Sequence, residues 1–106
     1  MNNLVEVARL SDIRPGQMLR VVHGGHAYLL ANVDGEILAA DDTCTHEDAP
    51  LSIGALHGDC VTCSLHGAIF NLRSGAPVEE PATEPLQTYA VELRDGTICI
   101  ALPDAG

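Results

Sequence analysis

Ala27-Tyr28-Leu29-Leu30-Ala31-Asn32-Val33, then Asp34-Gly35, then Glu36-Ile37-Leu38-Ala39-Ala40 reads as two strands joined by a tight turn. The first segment is an unbroken apolar run, consistent with a buried strand, and Asp-Gly is a strong hairpin signal. The same pattern recurs on both sides. Leu4–Ala8 and Met18–Val22 are short and β-rich, and His23-Gly24-Gly25-His26 offers a turn before Ala27. Thr88–Leu93 precedes Arg94-Asp95-Gly96, and Thr97–Ala101 follows, which predicts a second hairpin. No window of a dozen residues carries a helical stripe. Ser11-Asp12-Ile13-Arg14 can start one helical turn, but Pro15-Gly16 ends it. Strands at short intervals with Gly-rich turns predict an all-β antiparallel sandwich or barrel.

The middle of the chain breaks this rhythm. From Asp41 to about Pro85 the alternation is interrupted by Pro50, Gly54, Gly58, Gly67, Gly75, Pro77, Pro81 and Pro85. Short strands still fit at Gly58–Thr62 and Ala68–Leu72. A loop-rich insert of this length in a compact domain needs a purpose of its own. Holding a metal centre is such a purpose.

With 106 residues the chain has the size of one domain, and its hydrophobic fraction of 46% excludes global disorder. Tyr28, Phe70 and Tyr89 are its only aromatic residues, so the core must be mostly aliphatic. Five arginines and no lysine stand against 15 acidic residues, for a net charge of −10. That balance argues against nucleic acid and against an anionic membrane surface as partners. It suits a basic protein surface. Between Arg20 and Arg73 lie Asp34, Glu36, Asp41, Asp42, Glu47, Asp48 and Asp59, either a solvated face or a docking face. Met1–Leu10 lacks the pattern of a secretory signal, and no apolar run approaches the roughly 20 residues of a membrane span. A cytoplasmic location is expected. There, four cysteines indicate metal or redox chemistry before disulfides.

Two short motifs in the insert carry that chemistry. Cys44-Thr45-His46 is a C-x-H pair, and Cys63-Ser64-Leu65-His66 is a C-x-x-H pair. Thiolates suit iron–sulfur clusters or zinc, and imidazole suits both metals, so a tetrahedral zinc site and a two-iron cluster both fit the donors. Spacing separates them. A ββα zinc finger groups its two Cys and then its two His. Here each motif supplies one of each, as a two-iron centre requires when each loop spans both irons.

These residues, with Gly67, Phe70 and Gly75-Ala76-Pro77, give the chain a resemblance to the Rieske ferredoxins that serve bacterial aromatic-ring-hydroxylating dioxygenases. The resemblance covers essentially the whole chain, including Leu86–Leu93 and the Arg94-Asp95-Gly96 hairpin. It implies an antiparallel β-sandwich with a small cluster-binding subdomain, about residues 41–85, inserted in a single domain of residues 1–106. It implies one [2Fe–2S] cluster per chain. Cys44 and Cys63 would hold the inner iron, and His46 and His66 the outer one. Gly75-Ala76-Pro77 would lie in a loop covering the cluster. The implied role is that of a one-electron carrier, not an enzyme. Its partners would be a flavin-containing, NAD(P)H-dependent ferredoxin reductase and a terminal dioxygenase. Asp41, Asp42, Glu47 and Asp48 would steer the encounter with basic surfaces. A monooxygenase or a nitrite reductase is an alternative acceptor.

Departures within the family are informative. Respiratory Rieske proteins carry an extra cysteine in each ligand loop, where Ala49 and Leu65 stand here, so no such disulfide can form. They also carry a Ser and a Tyr that donate hydrogen bonds to sulfur, where Ala68 and Phe70 stand here. Fewer donors disfavour the reduced cluster and point to a low potential.

Other residues read as bystanders. Cys60 makes a C-x-x-C with Cys63, but a small strand residue is the simpler account, and Cys99 falls in an apolar strand. A Cys60–Cys99 disulfide is not expected in the cytosol. His23, His26 and His57 read as solvated. Two rivals remain: a fragment or subunit of an oxygenase or reductase, of which a terminal oxygenase would need a separate mononuclear iron site, and a zinc-stabilised interaction module.

Overall fold

The computed structural model describes residues 2–42, 50–63, 68–79 and 85–103. Within these, every regular element is a strand or a single 3-10 turn. The strands are β1 (Asn2–Arg9), β2 (Met18–His23), β3 (His26–Val33), β4 (Glu36–Asp41), β5 (Ala55–His57), β6 (Cys60–Thr62), β7 (Ile69–Asn71), β8 (Pro77–Glu79), β9 (Thr88–Tyr89), β10 (Val91–Arg94) and β11 (Thr97–Pro103). They form three antiparallel sheets, ordered β1-β11-β10, β2-β3-β4-β9 and β5-β6-β7-β8.

Turn chemistry sets the register. Gly24-Gly25, Asp34-Gly35 and Asp95-Gly96 are two-residue loops with positive φ at both positions. That is the turn whose twist matches the flanking strands. It fixes His23 opposite His26, Val33 opposite Glu36 and Arg94 opposite Thr97.

The β3 sequence now has its explanation. Tyr28 and Leu30 point into one core with Ile37, Ala39, Ile98 and Ile100. Leu29 and Ala31 point into the other, with Ala40, Leu51, Val61, Cys63, Ala68, Phe70, Leu72 and Leu86. The β2-β3-β4-β9 sheet therefore has a sheet packed on each face. A strand buried on both sides reads as a continuous apolar run instead of an alternation.

Two expectations change in detail. Thr88–Leu93 is not one strand. Thr88–Tyr89 pairs with β4 in the central sheet, while Val91–Arg94 pairs with β11 in the outer one. The chain changes sheets at Ala90, whose carbonyl accepts from the Ala101 N–H at 2.9 Å. Alternation cannot reveal this, because the side-chain period continues through a sheet-switching bend.

The middle segment is also more ordered than its Gly and Pro residues suggest, since it carries the whole β5-β6-β7-β8 sheet. Several breakers are sites of close approach or turning. A Cβ on Gly54 would lie 1.9 Å from the Thr62 carbonyl oxygen. Gly75 has a φ of 78°, and a Cβ there would lie 2.1 Å from the Leu86 oxygen. Asp42 marks where β4 gives way to this segment, and Leu86 marks the approach to β9. The Arg73 guanidinium ties the small sheet to the central one at its rim, 2.8 Å from Glu36 and 3.2 Å from Asp59. Its hydrogen bond to the Glu36 carboxylate holds that group below its ordinary pKa. These exposed pairs contribute little stability individually.

Candidate metal centre

Cys63 is the predicted ligand that falls within the described residues. Cys44, His46 and His66 lie outside them. Cys63 follows β6, and the period of that strand decides where it points. Val61 and Cys63 lie two apart, so both face the core and both are fully buried. Cys60 and Thr62 are only half-buried. Cys60 Sγ instead approaches Asp59 Oδ1 at 3.7 Å. Burial, and then Asp59, raise its thiol pKa, which suppresses thiolate chemistry. The C-x-x-C spacing thus places its two sulfurs on different faces. Cys99 lies buried in β11, and Cys60, Cys63 and Cys99 are all free thiols, so the Cys60–Cys99 disulfide is absent.

The wall around Cys63 is apolar. Phe70, Ala68, Leu51 and Leu29 belong to the same buried cluster, each at 0% exposure. Phe70 sits there as packing, directly across from Val61. The residues flanking both motifs are held by main-chain hydrogen bonds. The Cys63 N–H donates to the Ala68 carbonyl at 2.7 Å, and the Leu51 N–H donates to the Asp42 carbonyl. In the third predicted loop the Leu86 N–H donates to the Gly75 carbonyl at 2.6 Å. The donor set fits a two-iron cluster: two thiolates and two imidazoles, one of each per segment, with the described thiol in a dry wall.

The predicted bystander histidines stay apart from this wall. His23, His26 and His57 are exposed. His26 Nε2 lies 2.8 Å from Asp41 Oδ1, to which the Tyr89 hydroxyl also donates at 2.6 Å. Burial, and then that bond, raise the Tyr89 pKa, so the phenol stays neutral. Among the described residues no three His, Cys, Asp or Glu side chains converge as a further metal site.

One sequence expectation is corrected. Asp42 does not line a steering surface: it is 1% exposed and faces inward. Its carboxylate accepts from the Ser52 N–H at 2.8 Å and the Ser52 hydroxyl at 3.0 Å, and pairs with Arg20 Nε at 3.1 Å. A buried charge needs such partners, and no charge count along the chain reveals them.

Three antiparallel sheets, with the buried Cys63 of the C-x-x-H motif just past a short strand, define an all-β protein. The match to the Rieske [2Fe-2S] domain over residues 3–90 makes the chain a member of that family. Among its relatives is the ferredoxin component of biphenyl 2,3-dioxygenase from Rhodococcus jostii strain RHA1. The two are 40% identical over 99 residues, covering 93% of this chain and 92% of the relative. The Sphingomonas yanoikuyae B1 ferredoxin is similar in structure, with a TM-score of 0.90 and 32% identity over 95% of this chain and 100% of that one. A further likeness is to a chain in the complex of reduced oxygenase and oxidized ferredoxin of carbazole 1,9a-dioxygenase. There the TM-score is 0.88 at 37% identity, over 92% of each chain.

Proposed function

We infer that this chain is a one-electron carrier of an aromatic-ring dioxygenase system and holds one [2Fe–2S] cluster through Cys44, His46, Cys63 and His66. Residues 1–106 form one domain on this reading, and about 41–85 make its cluster-binding subdomain. The observation that carries the role is two-way coverage. Relatives named as ferredoxins match this chain over nearly the full length of both partners, so the matched unit is the carrier itself and not an oxygenase subunit.

Bound, the cluster supplies a reversible one-electron couple. The protein's part is to hold it and set its environment. Cys63 would hold it from just past β6, while the buried side chains of Phe70, Ala68 and Leu51 would keep water from its inner side. Ala68 and Phe70 offer no hydroxyl to sulfur. The predicted midpoint therefore lies at the low end of the Rieske range, around −150 mV. A redox titration with a midpoint well above zero would contradict this.

The electron comes from a flavin-containing, NAD(P)H-dependent reductase and goes to a terminal oxygenase, with His46 and His66 as its doorway. The net charge of −10 favours basic docking surfaces on both partners. Raising ionic strength should slow transfer in the reconstituted system, whereas turnover indifferent to salt would remove the steering role. Work in the cytoplasm fits this role. Among the described residues no helix is long and apolar enough to cross a membrane.

The reading is tested by reconstitution. The purified holoprotein should be required for NAD(P)H-driven dihydroxylation by a reductase and terminal oxygenase. Full activity without it would refute the role.

A further inference from the structure

We propose that Asp42 is a positioning residue for the cluster, a clasp that joins the two ends of the first ligand-bearing segment and fastens them to β2. The proposal rests on the reading of Cys44 and His46 as ligands. It starts from a buried charge that a carrier does not otherwise need. Asp42 is 1% exposed, and every polar group it presents is used. Its N–H donates to the Ala27 carbonyl on β3 at 3.2 Å, and its carbonyl accepts from Leu51. Its Oδ1 accepts from the Ser52 N–H, and its Oδ2 from the Ser52 hydroxyl and Arg20.

Asp42 precedes segment 43–49, and Leu51 and Ser52 follow it. Three hydrogen bonds therefore close that segment at its base. The Arg20 pair then carries the closure onto β2 of the central sheet. The carboxylate chemistry is specific. An ionised carboxylate only accepts, and here it meets three donors, one of them charged. An asparagine of the same shape would turn an N–H₂ group towards a donor, leaving groups unmatched in a buried site. The clasp also places a fixed negative charge two residues before Cys44, with the compensating Arg20 charge reaching towards solvent at 55% side-chain exposure. Removing either partner should change the field at the cluster in opposite senses.

The test uses purified holoprotein carrying Asp42→Asn, Ser52→Ala or Arg20→Gln. Iron transfer to the chelator bathophenanthroline at neutral pH should be about tenfold faster in Asp42→Asn and a few-fold faster in Ser52→Ala, as fewer donors are satisfied. The midpoint potential should rise in Asp42→Asn and fall in Arg20→Gln. A general loosening of the fold would not produce shifts of opposite sign. Wild-type iron release in all three variants, or midpoint shifts of the same sign, would overturn the proposal. If Asp42→Asn does not fold, Ser52→Ala and Arg20→Gln, both at positions reached by solvent, decide it by iron release and by the downward shift. Cys44→Ser separates the two layers. Iron loss there beside wild-type behaviour of the clasp variants overturns the positioning role alone, whereas full iron in Cys44→Ser overturns the ligand reading itself.

Discussion

Cys63→Ser should abolish the cluster, while Cys60→Ser and Cys99→Ser should leave it in place. All three are free cysteines, so composition alone does not rank them. Position does. Cys63 follows β6 on its inward face, in the same buried apolar cluster as Phe70 and Ala68, and its N–H donates to the Ala68 carbonyl. Cys60 lies on the other face of the same short strand beside Asp59. Cys99 lies in β11, in the sheet on the far side of the central one. Residues that only support metal ligands cost ten- to a hundredfold in affinity when changed, so a ligand must cost more. Iron content of Cys63→Ser is therefore expected to fall by at least about tenfold, with loss of the visible chromophore. Serine keeps the volume but not the soft donor. A Cys63→Ser protein with full iron and sulfide, or a Cys60→Ser protein without them, would contradict the assignment.

Phe70→Ala should be the most damaging packing change. Phe70 is the largest fully buried side chain, and it joins the small sheet to Leu29 and Ala31 on the central one. Truncating such a residue costs about 3–5 kcal/mol, through lost burial and the cavity left behind. That is a large share of the roughly 5–15 kcal/mol that a domain has. Guanidinium denaturation of the holoprotein should show a clearly lower midpoint, with Phe70→Leu much less affected because it keeps most of the volume. An unchanged midpoint in Phe70→Ala would mean that this core does not hold the two sheets together.

The parts legible in the sequence are those governed by local rules. The Asp34-Gly35 and Asp95-Gly96 hairpins follow from two adjacent residues that accept positive φ. The apolar run of β3 follows from burial on two faces. The C-x-H and C-x-x-H motifs announce their chemistry by donor type and spacing. What was not legible depends on contacts distant in sequence. The sheet change at Ala90 leaves the alternation of Thr88–Arg94 intact. β5 and β8 are three residues each, too short to show a period among Gly54, Gly58, Gly75 and Pro77. Asp42 reads as one more surface carboxylate, because its partners Arg20 and Ser52 lie 22 residues upstream and ten downstream.

Metal analysis joined to EPR of the dithionite-reduced protein decides whether two Cys and two His of this chain hold a two-iron cluster. A brown protein with two irons and two acid-labile sulfides per chain and a Rieske-type low-field signal is expected. A colourless protein carrying one zinc per chain would contradict it.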